Sequence, residues 1–347
     1  MGVSKEQLAD EFTRIIQNGQ YKAADELLTT LRNSVDVKEY LTVELCIAAA
    51  SLYHKLGRRD VEFQYIKAGF MLDQCSSELF MVLSAYYSQK NVKQGLICLY
   101  QARFYAEKQN DKSLVEQINE KISEYQGNGD LVPKSSFVIL SFNTREYIRK
   151  CLESIKETIP LDRCQIIVVD NASSDKSVEY LRTLDWITLV ENHENRGFPG
   201  GCNDGIAASD NGNDVYLLNS DTLLPYNAFF WLKIGLYENE KVGSTGSMTN
   251  YAANGQMIQK DWKSVEDIIS FGNMADIPLE NPYEQKLYLV GFSQLIKRTV
   301  LNEVGLLDER FFPGNSEDVD LGFRILKSGK ENILCHNSFV EIGRAHV

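Results

Sequence analysis

Three groups of polar residues in this chain have the type and spacing to do chemistry on an anionic substrate. Asp170-Asn171 and Asn219-Ser220-Asp221 each close a short apolar run (QIIVVD and DVYLLN), and Ser316-Glu317-Asp318-Val319-Asp320 opens an amphipathic stretch. Ionised carboxylates are pure hydrogen-bond acceptors and can also hold a hard cation or take up a proton. At the start of a helix, as at Asp318, a carboxylate is favoured by the macrodipole. Each also has a plainer role. Asp170 and Asp221 could cap the turn or helix that follows, and acidic first turns are common. Their joint occurrence points to a ligand site.

The elements that must position these groups follow from periodicity. Ser136–Phe142, Gln165–Asp170, Trp186–Glu191 and Asp214–Asn219 read as strands, and Arg145–Glu157, Lys176–Leu184 and Phe198–Ala208 as the helices between them. Such alternation predicts a mainly parallel sheet with right-handed crossovers, and ligands bind beyond the carboxyl ends of its strands. Ser141-Phe142-Asn143, Asp170-Asn171 and Asn219-Ser220-Asp221 all fall at that edge. Gly197-Phe198-Pro199-Gly200-Gly201 opens a helix and could present backbone N–H groups to phosphate, with Arg196 the nearest cation. A simple glycine turn explains it equally well. No G-x-G-x-x-G follows the first strand, where Ser141-Phe142-Asn143-Thr144 stands instead, so a dinucleotide oxidoreductase lacks its signature.

The first third differs. Residues 1–127 have no proline and no strand alternation; apolar residues such as Leu45, Ala48, Ala49, Leu52, Tyr53 and Leu56 recur at helical spacing. About seven helices are expected. Leu52–Asp73 placed over Tyr86–Glu107 pairs Tyr53 with Tyr87, Gly57 with Asn91, Ala68 with Ala102 and Phe70 with Phe104, an offset of 34 residues. In this reading the small Ala lets helices approach, the Gly or Asn ends a helix in a left-handed turn, and the aromatics fill the space between hairpins. The period resembles that of tetratricopeptide repeats, about three units; a generic helical bundle is the alternative. Binding or packing is the expected role.

Composition narrows the class further. The chain has 347 residues with 36 Lys+Arg against 48 Asp+Glu, a net charge of −12. That excess of negative charge argues against phosphate-backbone binding, so no nucleic-acid partner is expected. Seven scattered cysteines without a C-x-x-C pair argue against a disulfide framework or a thiolate zinc site. The charged N-terminus lacks a signal-peptide core, and no apolar run reaches a bilayer span. A cytoplasmic location, or a peripheral one at the inner face of the membrane, is expected.

Residues 135–340 resemble family 2 glycosyltransferases of the GT-A fold. The resemblance rests on five segments in order: LSFN at the first strand end, VVDNASSD (168–175), NRGFPGGCNDG (195–205), LLNSD (217–221) and GLLDERFFPGNSEDVDLGFRILKSG (305–329). It implies an α/β GT-A domain after an all-α helical-repeat domain: residues 1–127 helical, 128–134 a linker, 135–340 the transferase. It also implies an inverting, metal-assisted transfer of a sugar from a nucleotide diphosphate to a glycan, lipid-linked or protein acceptor, with surface polysaccharide biosynthesis as the family-level setting. Asp318 matches the family's general base, and Asp221 its Mn²⁺ or Mg²⁺ ligand, with Asn219 where a second acidic residue of the D-x-D-type element would stand. Ser141, Phe142, Asp170, Asn171, Arg196 and Asp221 fall on the donor side. Glu317 is expected to orient the acceptor, and Trp262, in loop 249–285, is expected to stack on a sugar, pack in a core or form part of a lid. The helical repeats would carry acceptor or partner.

The family pattern continues into a strand with a metal-binding histidine, but here the sequence runs Glu341-Ile342-Gly343-Arg344-Ala345-His346-Val347. One back-translation, GAG ATC GGA AGA GCA CAC GTC, is a common sequencing-library adapter, so residues 341–347 are expected to be foreign to a truncated gene. With that histidine absent and Asn219 in place of a carboxylate, the alternative is a helical-repeat scaffold whose GT-A domain binds sugar nucleotide without transferring it.

Overall fold

The computed structural model describes residues 5–34, 40–126 and 129–343. Residue 127 at the end of the expected helical region, residue 128 of the expected linker and the final four residues, His346 among them, lie outside that set. The chain forms two compact units, one reaching to Gly129 and the other taking in Asp130–Asp276 and residues from Glu280 onward.

The first unit is helical throughout its described residues: α1 (Lys5–Gln17), α2 (Tyr21–Ser34), α3 (Val43–Lys55), α4 (Arg59–Leu72), α5 (Ser77–Ser88), α6 (Val92–Lys108) and α7 (Lys112–Gln126). The side chains of Thr42, Ser76 and Asn91 cap α3, α5 and α6 by accepting from N–H groups of the first turn. The α3–α4 and α5–α6 hairpins begin 34 residues apart, at Val43 and Ser77. Phe70 meets Phe80 edge-on at 4.9 Å between centroids, and Phe80 stacks on Tyr105 at 5.6 Å, so aromatics do fill the space between successive helices. Two details of the repeat differ from expectation. Gly57 is left-handed (φ +68°), but Asn91 is extended (φ −148°) because its side chain serves as the α6 cap. The tight α4–α5 approach falls on Gly69, where a Cβ would lie 2.5 Å from Leu79 Cδ2, and Ala68 is only half-buried.

The second unit is an α/β sandwich on one sheet. Its elements are β1 (Ser135–Ser141), α8 (Arg145–Thr158), β2 (Cys164–Asp170), α9 (Ser177–Leu181), β3 (Thr188–Glu191), α10 (Gly197–Ala207), β4 (Asp214–Asn219), β5 (Thr222–Leu223), α11 (Ala228–Leu236), β6 (Val242–Thr249), α12 (Val265–Ala275), β7 (Tyr283–Lys286), β8 (Ser293–Ile296), α13 (Arg298–Val304), α14 (Glu317–Lys327) and β9 (Glu331–Ile342). The strand order is β3-β2-β1-β4-β8-β6-β9-β5, with β7 also on β9. β3, β2, β1 and β4 are parallel, β6 and β9 are parallel to each other, and β8 between β4 and β6 is antiparallel to both. This is the mainly parallel GT-A class that the motifs implied. Val138, Val169, Leu217 and Ile296 on one face pack with Cys202 and Ile206 of α10, Val300 and Leu301 of α13, and Leu321 and Ile325 of α14. On the other face Phe137, Tyr216 and Phe229 of α11 form an aromatic trio with centroids 4.7–5.2 Å apart.

Residues 341 and 342 continue β9 and pair with β5, Ile342 opposite Thr222 and Glu341 opposite Leu223. All seven cysteines are free thiols, five of them buried, as their scatter predicts. No helix among the described residues is long and apolar enough to cross a membrane.

Candidate active site

Register brings the polar strand ends together. Ser141 lies opposite Asp170, Asp170 opposite Glu191, and Leu140 opposite Asn219. Asp170 and Asn219 are therefore separated by one strand, about 10 Å at the usual spacing of just under 5 Å per strand. Asp221 follows in the β4–β5 turn. It is not a helix cap, because α11 begins seven residues later behind Asn227.

Asp170 is buried, 1% exposed. Its Oδ2 accepts from Ser173 N at 2.8 Å, which closes the turn after β2, while Oδ1 is buried with no hydrogen-bond partner. The turn-capping role and the ligand role thus use different oxygens of one carboxylate. Phe142 stands 42% exposed just beyond β1. Next to it Asn143, left-handed at φ +51°, laces the two loops: its N–H donates to Ser173 Oγ at 2.9 Å and its Oδ1 accepts from Ser174 N at 2.8 Å.

Two other residues expected on the donor side are occupied by the scaffold. Ser141 is fully buried, with its hydroxyl 3.1 Å from Thr144 Oγ1. The Asn171 amide makes four bonds: Nδ2 donates to Asn195 Oδ1 (2.9 Å) and Gly197 O (3.0 Å), and Oδ1 accepts from Asn192 Nδ2 (3.0 Å) and Arg196 N (3.2 Å). It uses its whole hydrogen-bonding capacity to shape the 192–197 loop. Arg196 is held between two carboxylates, donating to Asp204 Oδ1 and, at 2.9 Å, to Glu309 Oε2.

Asp318 sits half-buried in the first turn of α14, where Oδ1 accepts from Val319 N at 2.8 Å and Oδ2 from Gly291 N at 3.2 Å. Gly314, Asn315 and Ser316, at φ +145°, +140° and +71°, force the chain into that turn, and Asn315 N donates to Glu317 Oε2 at 2.6 Å. Positive φ at two successive non-glycine residues is rare enough to suggest a functional constraint. Glu317 is buried and serves this turn, whereas Asp320 pairs with Arg324 at 2.8 Å. The Gly291–Phe292 step then joins the two acidic centres. Gly291 donates to Asp318, and the Phe292 carbonyl accepts from Asn219 N at 2.9 Å.

Around Asp221 the donors are hard oxygens. Asn219 Oδ1 is buried without a hydrogen-bond partner. Glu341, wholly buried, has its carboxyl pushed up to about 7, first by burial and then by the charge of Asp221, with Lys150 opposing. Asp221 O accepts from Gly343 N at 2.6 Å, which draws the end of β9 alongside. No cluster of three or more His, Cys, Asp or Glu that could hold a metal ion occurs among the described residues. Asp221 and the orphaned Asn219 oxygen fit a cation that takes its remaining ligands from phosphate and water.

Trp262 packs rather than projects. Its ring meets Phe271 edge-on at 5.3 Å and Phe339 at 6.1 Å, against a small core of Met248, Ile268, Leu289 and Leu334. Of the roles expected for it, the core role matches this geometry.

The family model for "Glycosyl transferase family 2" matches residues 136–305. These residues form a family 2 glycosyltransferase domain. Among curated relatives, the probable glycosyltransferase YdaM of Bacillus subtilis (strain 168) is 24% identical over 226 residues, covering 60% of this chain and 50% of YdaM. The poly(ribitol-phosphate) beta-glucosyltransferase of Bacillus spizizenii is 29% identical over 93 residues, 25% of this chain and 15% of that protein. The chain thus spans at most half the length of these relatives. Among solved structures, GalNAc-T7 with UDP, GalNAc and Mn²⁺ aligns at a TM-score of 0.49 and 14% identity, over 61% of this chain and 44% of that one. In the family 2 domain described here, sequence reasoning missed Gly291, Asn203 and Glu309. Asn203 and Glu309 lie within segments 195–205 and 305–329, but only their partners reveal their use.

Proposed function

We propose that the family 2 domain transfers a sugar from a nucleotide diphosphate to an acceptor hydroxyl with inversion, and that Asp318 is the general base. The observation that carries this reading is the Gly291–Phe292 step, which bonds on one side to Asp318 and on the other to Asn219, two residues from Asp221. The Asp318 carboxylate and the turn that carries Asp221 are thereby tied to one backbone segment, which supports a proton acceptor and a cation acting on one substrate. Asp170 Oδ1 supplies an acceptor for the nucleoside, and Phe142 an exposed ring beside it. Asp221 and Asn219 would hold Mn²⁺ or Mg²⁺, and a bound cation would offset the charge of the leaving diphosphate. Asp318 takes the proton of the acceptor hydroxyl, whose oxygen then attacks the anomeric carbon from the face opposite the diphosphate. Single displacement from that face inverts the centre. Residues 1–127 would act as a tetratricopeptide-like arm for acceptor or partner, and the cytoplasmic face of surface polysaccharide synthesis is the setting we favour.

A thermal-shift screen of UDP-, GDP- and dTDP-sugars with and without Mn²⁺, followed by transfer and donor-hydrolysis assays, tests this. A metal-dependent shift with turnover supports it, and the absence of any shift overturns it. A shift without turnover in the parent favours the non-transferring scaffold.

A further inference from the structure

The glycine-rich NRGFPGG motif has the look of a phosphate cradle, yet the three backbone donors that lead into the helix are already taken. Arg196 N donates to Asn171 Oδ1 (3.2 Å), Gly197 N to Asn195 Oδ1 (2.8 Å) and Phe198 N to Pro313 O (2.7 Å), while Pro199 has no N–H. The glycines are explained by packing. A Cβ on Gly197 would lie 2.7 Å from the Phe312 ring and 2.8 Å from Pro313 O; one on Gly201 would lie 2.3 Å from Leu140, and one on Gly205 2.4 Å from Val138. α10 is thereby seated against the sheet on one side and against residues 312–313 on the other.

Side chains extend the same contact. The amide of Asn203 clasps residue 307 from both sides, Nδ2 donating to Leu307 O at 2.9 Å and Oδ1 accepting from Leu307 N at 3.1 Å. Nδ2 also reaches Glu309 Oε1 at 3.1 Å, and Glu309 Oε2 accepts from Arg196 at 2.9 Å. With Asp204 on its other nitrogen, the guanidinium faces two carboxylates, and the triad as a whole carries net negative charge. Such a group offers no net attraction to a diphosphate.

We infer that Arg196 and Glu309 are positioning residues for Asp318: the Arg196–Glu309 pair, together with the Asn203 clasp, braces residues 307–316 against α10 and so aims the first turn of α14. Arg196 is then not a ligand of the donor diphosphate. This rests on Asp318 being the base, as proposed above.

The test compares full-length parent, Arg196→Ala and Glu309→Gln by hydrogen exchange and by calorimetric titration with UDP and GDP in Mn²⁺. The brace predicts about tenfold faster amide exchange in residues 307–318 in both variants, since each loses a charged hydrogen bond. It predicts nucleotide Kd within threefold of the parent. With the donor sugar found by the thermal-shift screen, kcat falls about tenfold at unchanged donor KM, and Arg196→Lys, which keeps the charge, recovers part of it. Unchanged exchange overturns the inference, as does unchanged kcat. So does a larger loss of nucleotide affinity in Arg196→Ala, which would make Arg196 a phosphate ligand. If the parent binds neither nucleotide, the glycosyltransferase reading fails, and the exchange comparison still decides the brace.

Discussion

Asp318 Oδ2 accepts a hydrogen bond from the backbone N–H of Gly291 at 3.2 Å, although the two residues lie 27 positions apart. A Cβ built on Gly291 would stand 3.7 Å from the Asp318 Cβ and 3.8 Å from the Phe198 ring, so the β8 entry lies against Asp318 and against the start of α10 at once. Backbone N–H groups of two segments thus hold the Asp318 carboxylate, and removing its charge should separate chemistry from structure.

Asp318→Asn keeps an oxygen for one of the two backbone donors and loses proton-accepting power. Turnover should fall by about 10²–10⁴-fold, the usual contribution of a positioned general base. Nucleotide affinity and melting temperature should stay close to the parent. Steady-state transfer assays beside calorimetric titration measure the two; a variant with parental kcat removes Asp318 from the role.

Asp221→Ala should abolish the difference that Mn²⁺ or chelator makes to nucleotide binding, because it removes the charged oxygens of that turn and leaves the neutral Asn219 amide in their place. Isothermal titration with UDP and GDP, each in Mn²⁺ and in EDTA, reads this directly. A metal effect surviving in the variant would move the cation elsewhere.

Asp170→Asn leaves an acceptor for Ser173 N and so should fold normally. It converts a carboxylate with one unpartnered oxygen into a neutral amide, and nucleotide Kd should weaken by about tenfold or more, as loss of a charged hydrogen bond does. Equal affinity in parent and variant would leave the buried Oδ1 without a ligand role.

The pH dependence of stability should report Asp276. It is fully buried, Oδ1 accepts from Phe339 N at 2.7 Å, Oδ2 has no hydrogen-bond partner, and burial pushes its carboxyl well above the usual range. The folded state thus holds this proton to higher pH than the unfolded chain does. The stabilisation is complete below the unfolded pKa and is lost as pH rises through the folded one. Melting temperature should fall on the alkaline side, and Asp276→Asn should flatten that part of the curve. A variant curve parallel to the parent's throughout the alkaline limb would contradict this.

At the opposite end of the sheet, Asp214 Oδ2 accepts from Lys233 Nζ at 2.7 Å and Tyr237 Oη at 2.8 Å, with Asp214 and Lys233 both buried. Asp214→Ala strands the ammonium in the core and should cost about 3–5 kcal/mol of unfolding free energy in urea titration. Substituting both, Asp214→Ala with Lys233→Met, should recover much of it. No recovery would assign the loss instead to the Tyr237 contact and to the Arg298 N–H, which donates to Asp214 Oδ1 at 3.2 Å.

Periodicity and strand-end chemistry were legible in the one-dimensional order, because both depend on neighbours a few residues away. The switch from helical to alternating spacing after residue 127, the acidic strand ends at Asp170 and Asp221, and the helix start at Asp318 all belong to this kind. What side chains at those places are free to do was decided by partners far along the chain. Asn171 looked like a donor contact until residues 192–197, folded over it, used all its bonds. The glycines after Arg196 looked like a phosphate cradle, yet they meet Leu140, Val138 and Phe312 across the fold. Trp262 found its core in Phe271 and Phe339. Arg196 and Glu309 became partners only because α10 and the 307–316 segment pack together, 113 residues apart in sequence. Local order sets which groups a chain carries and which elements bear them; whether a buried group is satisfied by protein or left for a ligand depends on contacts that exist only after the sheet has closed.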